Sequence, residues 1–275
     1  MAYEGDITAL MVAAARAEVS GTAGFTDEFA ATVVTAAGGF DVAGFPDDLV
    51  RRVCTSVLLR SRFLDDAVMK GVGDGATQVV LLGSGLDARP WRLPVPPATR
   101  FWMLDLPGTA GFTQEALGPA PVDATSVTAD LRDPEWIDAL VGAGFDPEQR
   151  TVWVAEGLLF YLESAIADRV AEQAAKASVP GSVFAFAHFG PGSQGETMTR
   201  SMSTEVQTYG STFVSTIESP QEYLDGTPWL PEQVSTFYLE GQEIGRDVEY
   251  TEEPGQEVTW LCAARHEGSG DRRSR

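Results

Sequence analysis

Cysteine and histidine are scarce in this sequence, which has two of each. Cys54 and Cys262 lie far apart and match no metal-ligand spacing, so the sequence predicts neither a disulfide scaffold nor a structural zinc site. His188 is the only histidine outside the C-terminal tail. It is therefore the one histidine that we consider as a general base.

Basic residues are also few. The chain has 19 lysines and arginines against 40 acidic residues, a formal net charge of −21. Such a surface repels phosphate backbones and anionic lipid, so we expect neither nucleic acid nor a membrane surface as a partner. No apolar run reaches ~18 residues, and the N-terminus lacks a basic stretch followed by an apolar one. We therefore expect no membrane span, no signal peptide and a cytoplasmic setting.

The chain has 275 residues, of which 44% are hydrophobic and 21% charged, as is typical of a globular protein. We predict one domain over residues 1–265 and a disordered tail over 266–275. Residues 1–75 are expected to form a helical N-terminal extension because apolar residues recur there at three- and four-residue steps. The predicted helices are Ile7–Val19, Asp27–Ala36 and Pro46–Met69.

After residue 77, short apolar runs alternate with helical segments. The predicted strands are Val79–Leu82, Phe101–Leu104, Ser126–Ala129, Thr151–Ala155 and Ser182–Phe189. The helices between them fall at 108–117, 134–142 and 164–178. This alternation predicts an α/β fold with a doubly wound, mostly parallel sheet. A helical lid over 190–230, a helix at Pro231–Glu240 and an antiparallel pair, Val248–Tyr250 with Val258–Ala264, are expected to complete it.

A glycine-rich turn follows the first predicted strand directly. Gly83 and Gly85 allow a sharp turn and the close approach of a ligand. The dinucleotide fingerprint G-x-G-x-x-G needs glycine at 88, where this chain has Ala88, and the P-loop pattern is absent. By itself the turn leaves a nucleoside cofactor and a structural turn both open.

Acidic side chains stand at the ends of the next strands. Asp105 follows the second strand and suits the hydroxyls of a ribose. Asp130 and Leu131 follow the third strand and suit an adenine. Glu156 ends the fourth strand. The carboxyl ends of parallel strands share one edge of a sheet, where open α/β proteins bind ligands, so we expect these residues to meet there.

Five motifs in this order resemble the leucine carboxyl methyltransferase family, and in particular its bacterial S-adenosylmethionine-dependent O-methyltransferases. They are LLRSRFLDDAV, LLGSGLDARPWRL, FWMLDLP, VTADLRDPEW and VWVAEGLLFYL. The resemblance implies a Rossmann-like class I methyltransferase fold with a seven-stranded sheet and S-adenosylmethionine as cofactor. Ser84 and Ala88 depart from the family's usual alanine and threonine.

The resemblance also implies roles for individual residues. Arg60, with Arg62 as the fallback, would bind the methionine carboxylate, and Glu156 would lie near its amino group. Gly83 would pack under the methionyl part, with Gly85 in the same loop. The remaining cofactor contacts would be Asp105 to the ribose and Asp130 with Leu131 to the adenine.

The acceptor is expected to be a small organic molecule, methylated on a carboxylate or hydroxyl oxygen and possessing a natural-product, polyketide-like body. A hydroxyl would need a base, for which His188 is the candidate. Tyr161 and Arg89 are candidates for holding the acceptor, although Arg89 could instead pair with Asp87. An apolar pocket is expected from Met198, Met202, Tyr209, Phe213, Tyr223 and Trp229.

Other functions remain open from the sequence alone. A glycine turn followed by an acidic residue also suits a nicotinamide-dependent oxidoreductase. The chain could bind S-adenosylmethionine without catalysis, or methylate a protein C-terminus as one branch of the family does. The sequence indicates no oligomeric state and no metal.

Overall fold

The computed structural model describes residues 3–41, 45–190, 212–245 and 259–268. Three helices come first: α1 (Ile7–Val19), α2 (Ala30–Ala36) and α3 (Asp47–Gly73). The Asp6 side chain caps α1 by accepting from the Thr8 amide at 2.8 Å. Helix α3 begins after Pro46 with acidic residues in its first turn and has Lys70 in its last, which complements the helix dipole.

The described residues contain seven strands, which form one sheet. They are β1 (Gln78–Leu82), β2 (Arg100–Asp105), β3 (Asp123–Thr128), β4 (Thr151–Ala155), β5 (Val183–Phe189), β6 (Trp229–Thr236) and β7 (Thr259–His266). The strand order is β3-β2-β1-β4-β5-β7-β6. The first five strands are parallel, and β7 runs antiparallel to both β5 and β6. The doubly wound, mostly parallel seven-stranded sheet is confirmed.

The shorter helices connect these strands. They are α4 (Arg89–Arg92), α5 (Phe112–Leu117), α6 (Trp136–Gly142), a 3₁₀ turn (Leu159–Tyr161), α7 (Ser164–Lys176), α8 (Pro220–Tyr223) and α9 (Phe237–Glu243). Strands β1, β4 and β5 are buried along their whole length, because helices cover both faces of the sheet. Helices α6 and α7 pack on one face and α3 on the other.

Helix α3 is a layer of the sheet's core as well as part of the N-terminal extension. Its Leu64 and Val68 are fully buried against the sheet. Its Gly71 lies so close to β4 that a Cβ there would stand 2.5 Å from Val152 Cγ2. The helix thereby brings Arg60 and its neighbours over the carboxyl ends of the strands.

The C-terminal part of the prediction was wrong in two places. Residues 231–236 belong to the edge strand β6, and a helix starts only at Phe237; Leu239, expected on an apolar side, is 54% exposed. The described partners of the last strand are β5 and β6, whereas 248–250 lies outside the described residues. His266 ends β7 and is buried, so the predicted tail does not begin there.

The predicted helical lid falls mostly on residues 191–211, outside the described part of the chain. Of the rest, 212–218 is irregular backbone against the 3₁₀ turn, where the Val214 amide donates to the Phe160 carbonyl at 2.8 Å. Helix α8 is a single turn, capped by the Ser219 side chain, which accepts from the Glu222 amide.

Candidate active site

A cavity of about 500 Å³ opens at the carboxyl ends of β1, β2 and β4. This is the edge at which open α/β sheets bind ligands. Helices α1 and α3 and the loop after β1 form its walls. Most of the cofactor-site residues expected from the sequence line it, together with Tyr161: Arg60, Gly83, Gly85, Asp105, Asp130, Leu131 and Glu156.

The glycine turn after β1 takes a backbone conformation that favours glycine. Gly83 has φ +57° and Gly85 φ +53°, both in the left-handed region. A Cβ on Gly83 would stand 2.7 Å from Leu158 Cδ1, so any side chain there would require Leu158 to move. The turn therefore presents bare backbone to the cavity.

Asp105, the last residue of β2, is tied to this turn. Its Oδ2 accepts from the Gly85 amide at 2.6 Å, and its Oδ1 accepts from the Leu106 amide at 2.7 Å. Burial raises the pKa of Asp105, and the two amide N–H groups oppose that rise. Each oxygen keeps a second lone pair, so the carboxylate can still accept from two neighbouring hydroxyls.

Asp130 and Leu131 follow β3 and lie on the same side of the cavity. Leu131 is buried and belongs to the core beneath the sheet. The Asp130 carboxylate accepts from the Arg132 guanidinium over 2.6–3.0 Å and from the Arg132 amide at 2.9 Å. Arg132 lowers the pKa of Asp130. A ligand amine that reaches Asp130 would share this carboxylate with Arg132.

Glu156, directly after β4, is held by three donors. Its Oε1 accepts from Arg60 Nε at 3.2 Å and from Ser61 Oγ at 2.7 Å, and its Oε2 accepts from Arg89 Nη2 at 2.5 Å. Burial alone would raise the pKa of Glu156, but Arg89, Arg16 and Arg60 together hold it well below its usual range. Glu156 is therefore an ionised, oriented carboxylate.

Arg89 has no side-chain surface left for an acceptor. Its guanidinium is fully buried and donates to three carboxylates: Nε to Asp65 at 2.8 Å, Nη1 to Asp87 and Nη2 to Glu156. The expectation that it holds the acceptor was wrong, because each of its nitrogens already has an ionic partner. The pairing with Asp87 is the use that the structure shows.

Tyr161 and His188 have different positions. Tyr161 lines the cavity from the 3₁₀ turn, and burial raises its pKa to about 12. In β5, Ala187 and Phe189 face the cavity, so the strand's alternation turns His188 to the opposite face. The fully buried ring contacts the Phe189 carbonyl and Ser215 Oγ through Nδ1 and Nε2, at 3.1 and 3.5 Å.

Burial also lowers the pKa of His188 to about 4. Because this ring is on the wrong face of β5 and is held by protein partners, it cannot reach an acceptor in the cavity. The expectation that His188 is the catalytic base was therefore wrong on geometry.

The structure bears on three of the six residues expected to form an apolar pocket. Phe213 does line the cavity, beside Phe160 and Phe189, whose rings stack at 4.2 Å. Tyr223 and Trp229 lie on the other face, where they donate to the Ala167 and Ala171 carbonyls. Their assignment to the pocket was wrong. Met198, Met202 and Tyr209 lie outside the described residues.

Arg16 and Ser61 belong to the site but were not expected from the sequence. Arg16 is buried, lines the cavity and donates to the Leu86 carbonyl at 3.1 Å, while its Nε has no partner. A signal was available, since Arg16 is the one cation in the apolar helix α1. Ser61 is adjacent to Arg60 in the motif that carries the family resemblance.

No group of three or more histidine, cysteine or acidic side chains is arranged to hold a metal ion within the ranges that the structure describes. Among those same residues, no helix is both long and apolar enough to cross a membrane.

The family of this chain is shown by its match to a family model. The model of the leucine carboxyl methyltransferase family matches residues 9–175. The chain belongs to this family. The match includes Asp105, Asp130 and Glu156, the glycine turn and α3.

Two mycobacterial relatives are named S-adenosyl-L-methionine-dependent methyltransferases. A protein of Mycobacterium marinum is 40% identical over 211 residues, which cover 66% of this chain and 65% of the relative. One of Mycolicibacterium smegmatis is 38% identical over 197 residues, 65% of each chain. The chain thus matches just under two thirds of the length of these relatives.

Solved structures share the fold of this family member over nearly its whole length. A protein of Thermobifida fusca classed as a methyltransferase covers 94% of both chains with a TM-score of 0.60 and 19% identity. A DUF574 family protein of Streptomyces avermitilis covers 96% of this chain and 98% of its own, with a TM-score of 0.62 and 12% identity. At these identities the likeness concerns the fold, that of the class I methyltransferases.

Proposed function

We propose that this protein is an S-adenosylmethionine-dependent methyltransferase that acts on an oxygen of a small organic acceptor. The observation that carries the proposal is the convergence of Asp105, Glu156 and the Gly83–Gly85 turn on one cavity. Family membership and the names of the mycobacterial relatives support it.

The residues of the cavity fit this cofactor. Asp105 retains lone pairs for a ribose, and the Gly83 backbone lines the same cavity. Asp130 with Leu131 would take the adenine, and Arg60 the methionine carboxylate. Glu156 keeps an acceptor position for the amino group. When bound, S-adenosylmethionine supplies an electrophilic methyl group, so the protein needs chiefly to orient both reactants and exclude water.

A carboxylate is the acceptor that the surroundings favour. It is already ionised at pH 7, whereas a phenol with pKa ~10 benefits from a base. Among the described residues, His188 lies on the other face of β5 and Tyr161 has a pKa raised to about 12. Glu156 is ionised but is held by three donors. A hydroxyl acceptor is the alternative.

Two features of the cavity suit an acid with an apolar body. Phe160, Phe189 and Phe213 form an apolar wall. The buried cation Arg16 offsets locally the repulsion that a chain of net charge −21 exerts on an anion. A natural-product acid, for example one of polyketide type, has an apolar body for the aromatic wall and a negative charge for Arg16.

The test is transfer of a labelled methyl group from S-adenosylmethionine into a small-molecule extract, followed by identification of the product. We expect a labelled small molecule that loses its label as methanol in mild base, because methyl esters hydrolyse there. A base-stable product identifies a hydroxyl acceptor. Label in protein rather than in small molecules overturns the proposed acceptor class, and cofactor binding without transfer supports the non-catalytic alternative.

A further inference from the structure

The Glu156 carboxylate is oriented by a side chain that the proposed chemistry does not itself use. Arg89 is fully buried at the start of α4, and its Nη2 donates to Glu156 Oε2 at 2.5 Å. Its other two nitrogens, Nε and Nη1, donate to Asp65 and Asp87. The three carboxylates come from α3, from the turn after β1 and from the end of β4, so Arg89 joins three separate parts of the fold.

A second arginine binds one of the carboxylates that hold Arg89. Arg92, one turn along α4, donates to both oxygens of Asp65 at 2.5 and 2.8 Å. Its Nε also lies 3.6 Å from Asp27 Oδ2, at the carboxylate that caps α2. Arg89 and Arg92 therefore share one carboxylate, but only Arg89 reaches the cavity's Glu156.

The three donors leave Glu156 with one open acceptor position. A carboxylate offers about four lone-pair positions, and Arg60, Ser61 and Arg89 fill three. The direction of the fourth is fixed only while the other three are in place. Among these contacts, Arg89 is the only donor to Oε2. It therefore controls the rotation of the carboxylate about the Cγ–Cδ bond of Glu156.

We propose that Arg89 is a positioning residue, which orients Glu156 so that its open acceptor position meets the amino group of the cofactor's methionyl part. This inference rests on the proposed function, since it assumes that S-adenosylmethionine occupies the cavity. Lysine cannot take over this position, because a single ammonium group cannot span three carboxylates as a planar guanidinium does.

The experiment measures equilibrium binding by calorimetry with three ligands. S-adenosylhomocysteine carries both the amino and the carboxylate group. Its decarboxylated analogue, S-adenosyl-3-thiopropylamine, keeps only the amino group, and 5′-methylthioadenosine has neither. For Arg89→Lys we expect roughly tenfold weaker binding of the two amines, as for a misdirected hydrogen bond to a charged group, and less than threefold change for methylthioadenosine.

The matched control is Arg92→Lys. It alters an arginine on the same helix whose side chain is also largely buried and which shares Asp65 but does not touch Glu156. We expect a lower melting temperature without selective loss of either amine. If Arg89→Lys does not fold, Asp65→Asn is the fallback variant. It weakens the contact of Asp65 with Arg89 Nε, and Asp65 does not line the cavity. We expect a smaller loss of affinity for the same two amines.

A double-mutant cycle with Glu156→Gln separates positioning from general stability. If Arg89 acts through Glu156, Arg89→Lys causes no further loss of amine affinity in the Glu156→Gln background. Equal weakening of all three ligands, loss confined to S-adenosylhomocysteine, or an undiminished effect in that background each overturns the inference. If the unaltered protein binds none of the three ligands, the proposed function itself fails.

Discussion

The Gly85 amide donates to Asp105 Oδ2 at 2.6 Å, which joins the turn after β1 to the carboxylate at the end of β2. This bond fixes the carboxylate and the glycine backbone relative to each other before any ligand arrives. Pre-organised groups lose less conformational freedom on binding, so the contact favours affinity. A nucleoside site in this cavity depends on the Gly85–Asp105 hydrogen bond.

The first prediction concerns the charge of Asp105. Asp105→Asn removes the negative charge and one acceptor oxygen while keeping the shape of the side chain. We expect at least tenfold weaker binding of S-adenosylhomocysteine, since each hydrogen bond to a charged group is worth about 1.5–3 kcal/mol. Asp123→Asn, at the opposite end of the neighbouring strand β3, is the control and should bind normally. Full affinity in Asp105→Asn contradicts the ribose assignment.

The second prediction concerns the close approach at Gly83. Gly83→Ala and Gly111→Ala both place a side chain at positive φ, +57° and +86°. Each is expected to lose about 1 kcal/mol of stability from this strain. Only the Gly83 Cβ would stand closer than 3 Å to a neighbour, Leu158, whereas the nearest atoms to a Gly111 Cβ, those of Ser126, lie 3.9 Å away in ordinary contact. Thermal melting and calorimetry should therefore show a larger loss of stability, and loss of cofactor binding, for Gly83→Ala alone; equal effects would speak against this account.

The third prediction concerns His188. Since its ring faces away from the cavity, His188→Gln should leave turnover within about threefold, as judged by the labelled-methyl assay. Its folded pKa of about 4 lies below the unfolded value of ~6.5. The unfolded chain therefore binds the proton first, so His188 stabilises the fold above pH 6.5 and this stabilisation declines between pH 6.5 and 4.

His188→Gln should accordingly flatten the decline of the unfolding free energy over that pH range, by up to about 3 kcal/mol from this one group. Denaturant titrations at pH 4.5 and 7 measure the difference. A large fall in turnover in a variant that is folded would restore His188 as a base.

The fourth prediction concerns cofactor affinity in acid. Burial raises the pKa of Asp105, so on acidification it takes up a proton before an ordinary aspartate of pKa ~3.9 does. The pKa of Glu156 is held well below its usual range, so Glu156 stays ionised. Affinity for S-adenosylhomocysteine should fall through the titration of Asp105, and Asp105→Asn should show no such fall. An identical acid limb in both proteins refutes the assignment.

Helices and strands were predicted correctly where the pattern that marks them lies in adjacent residues of the sequence. Helix α1 and strand β4 were predicted to the residue, because one is an apolar helix behind an acidic cap and the other an apolar run bounded by turns. The carboxylates at the strand ends were found for the same reason. Parallel topology brings the carboxyl ends of β1, β2 and β4 to one edge without any further information.

Two failures have a physical cause in the sheet. Strand β5 is buried on both faces, so its sequence does not alternate, and the face of His188 cannot be derived from a run that is apolar throughout. A shift of one residue reverses every side chain. In β6, a register shift between Pro231 and Gln233 breaks the alternation of buried and exposed residues that would mark a strand, and Pro231 is tolerated on this edge strand because the edge needs no donor.

The role of Arg89 could not be derived from the sequence either. Its three partners lie 24, 2 and 67 residues away along the chain. Only the nearest, Asp87, was considered. Buried ion pairs of this kind arise from tertiary packing, which sets no local pattern.

Calorimetric titration of the unaltered protein with S-adenosylhomocysteine and, in parallel, with NADH tests the central claim most directly. The account predicts saturable binding of S-adenosylhomocysteine at one site per chain and no binding of NADH. Binding of NADH without binding of S-adenosylhomocysteine would contradict it and would favour a nicotinamide-dependent oxidoreductase.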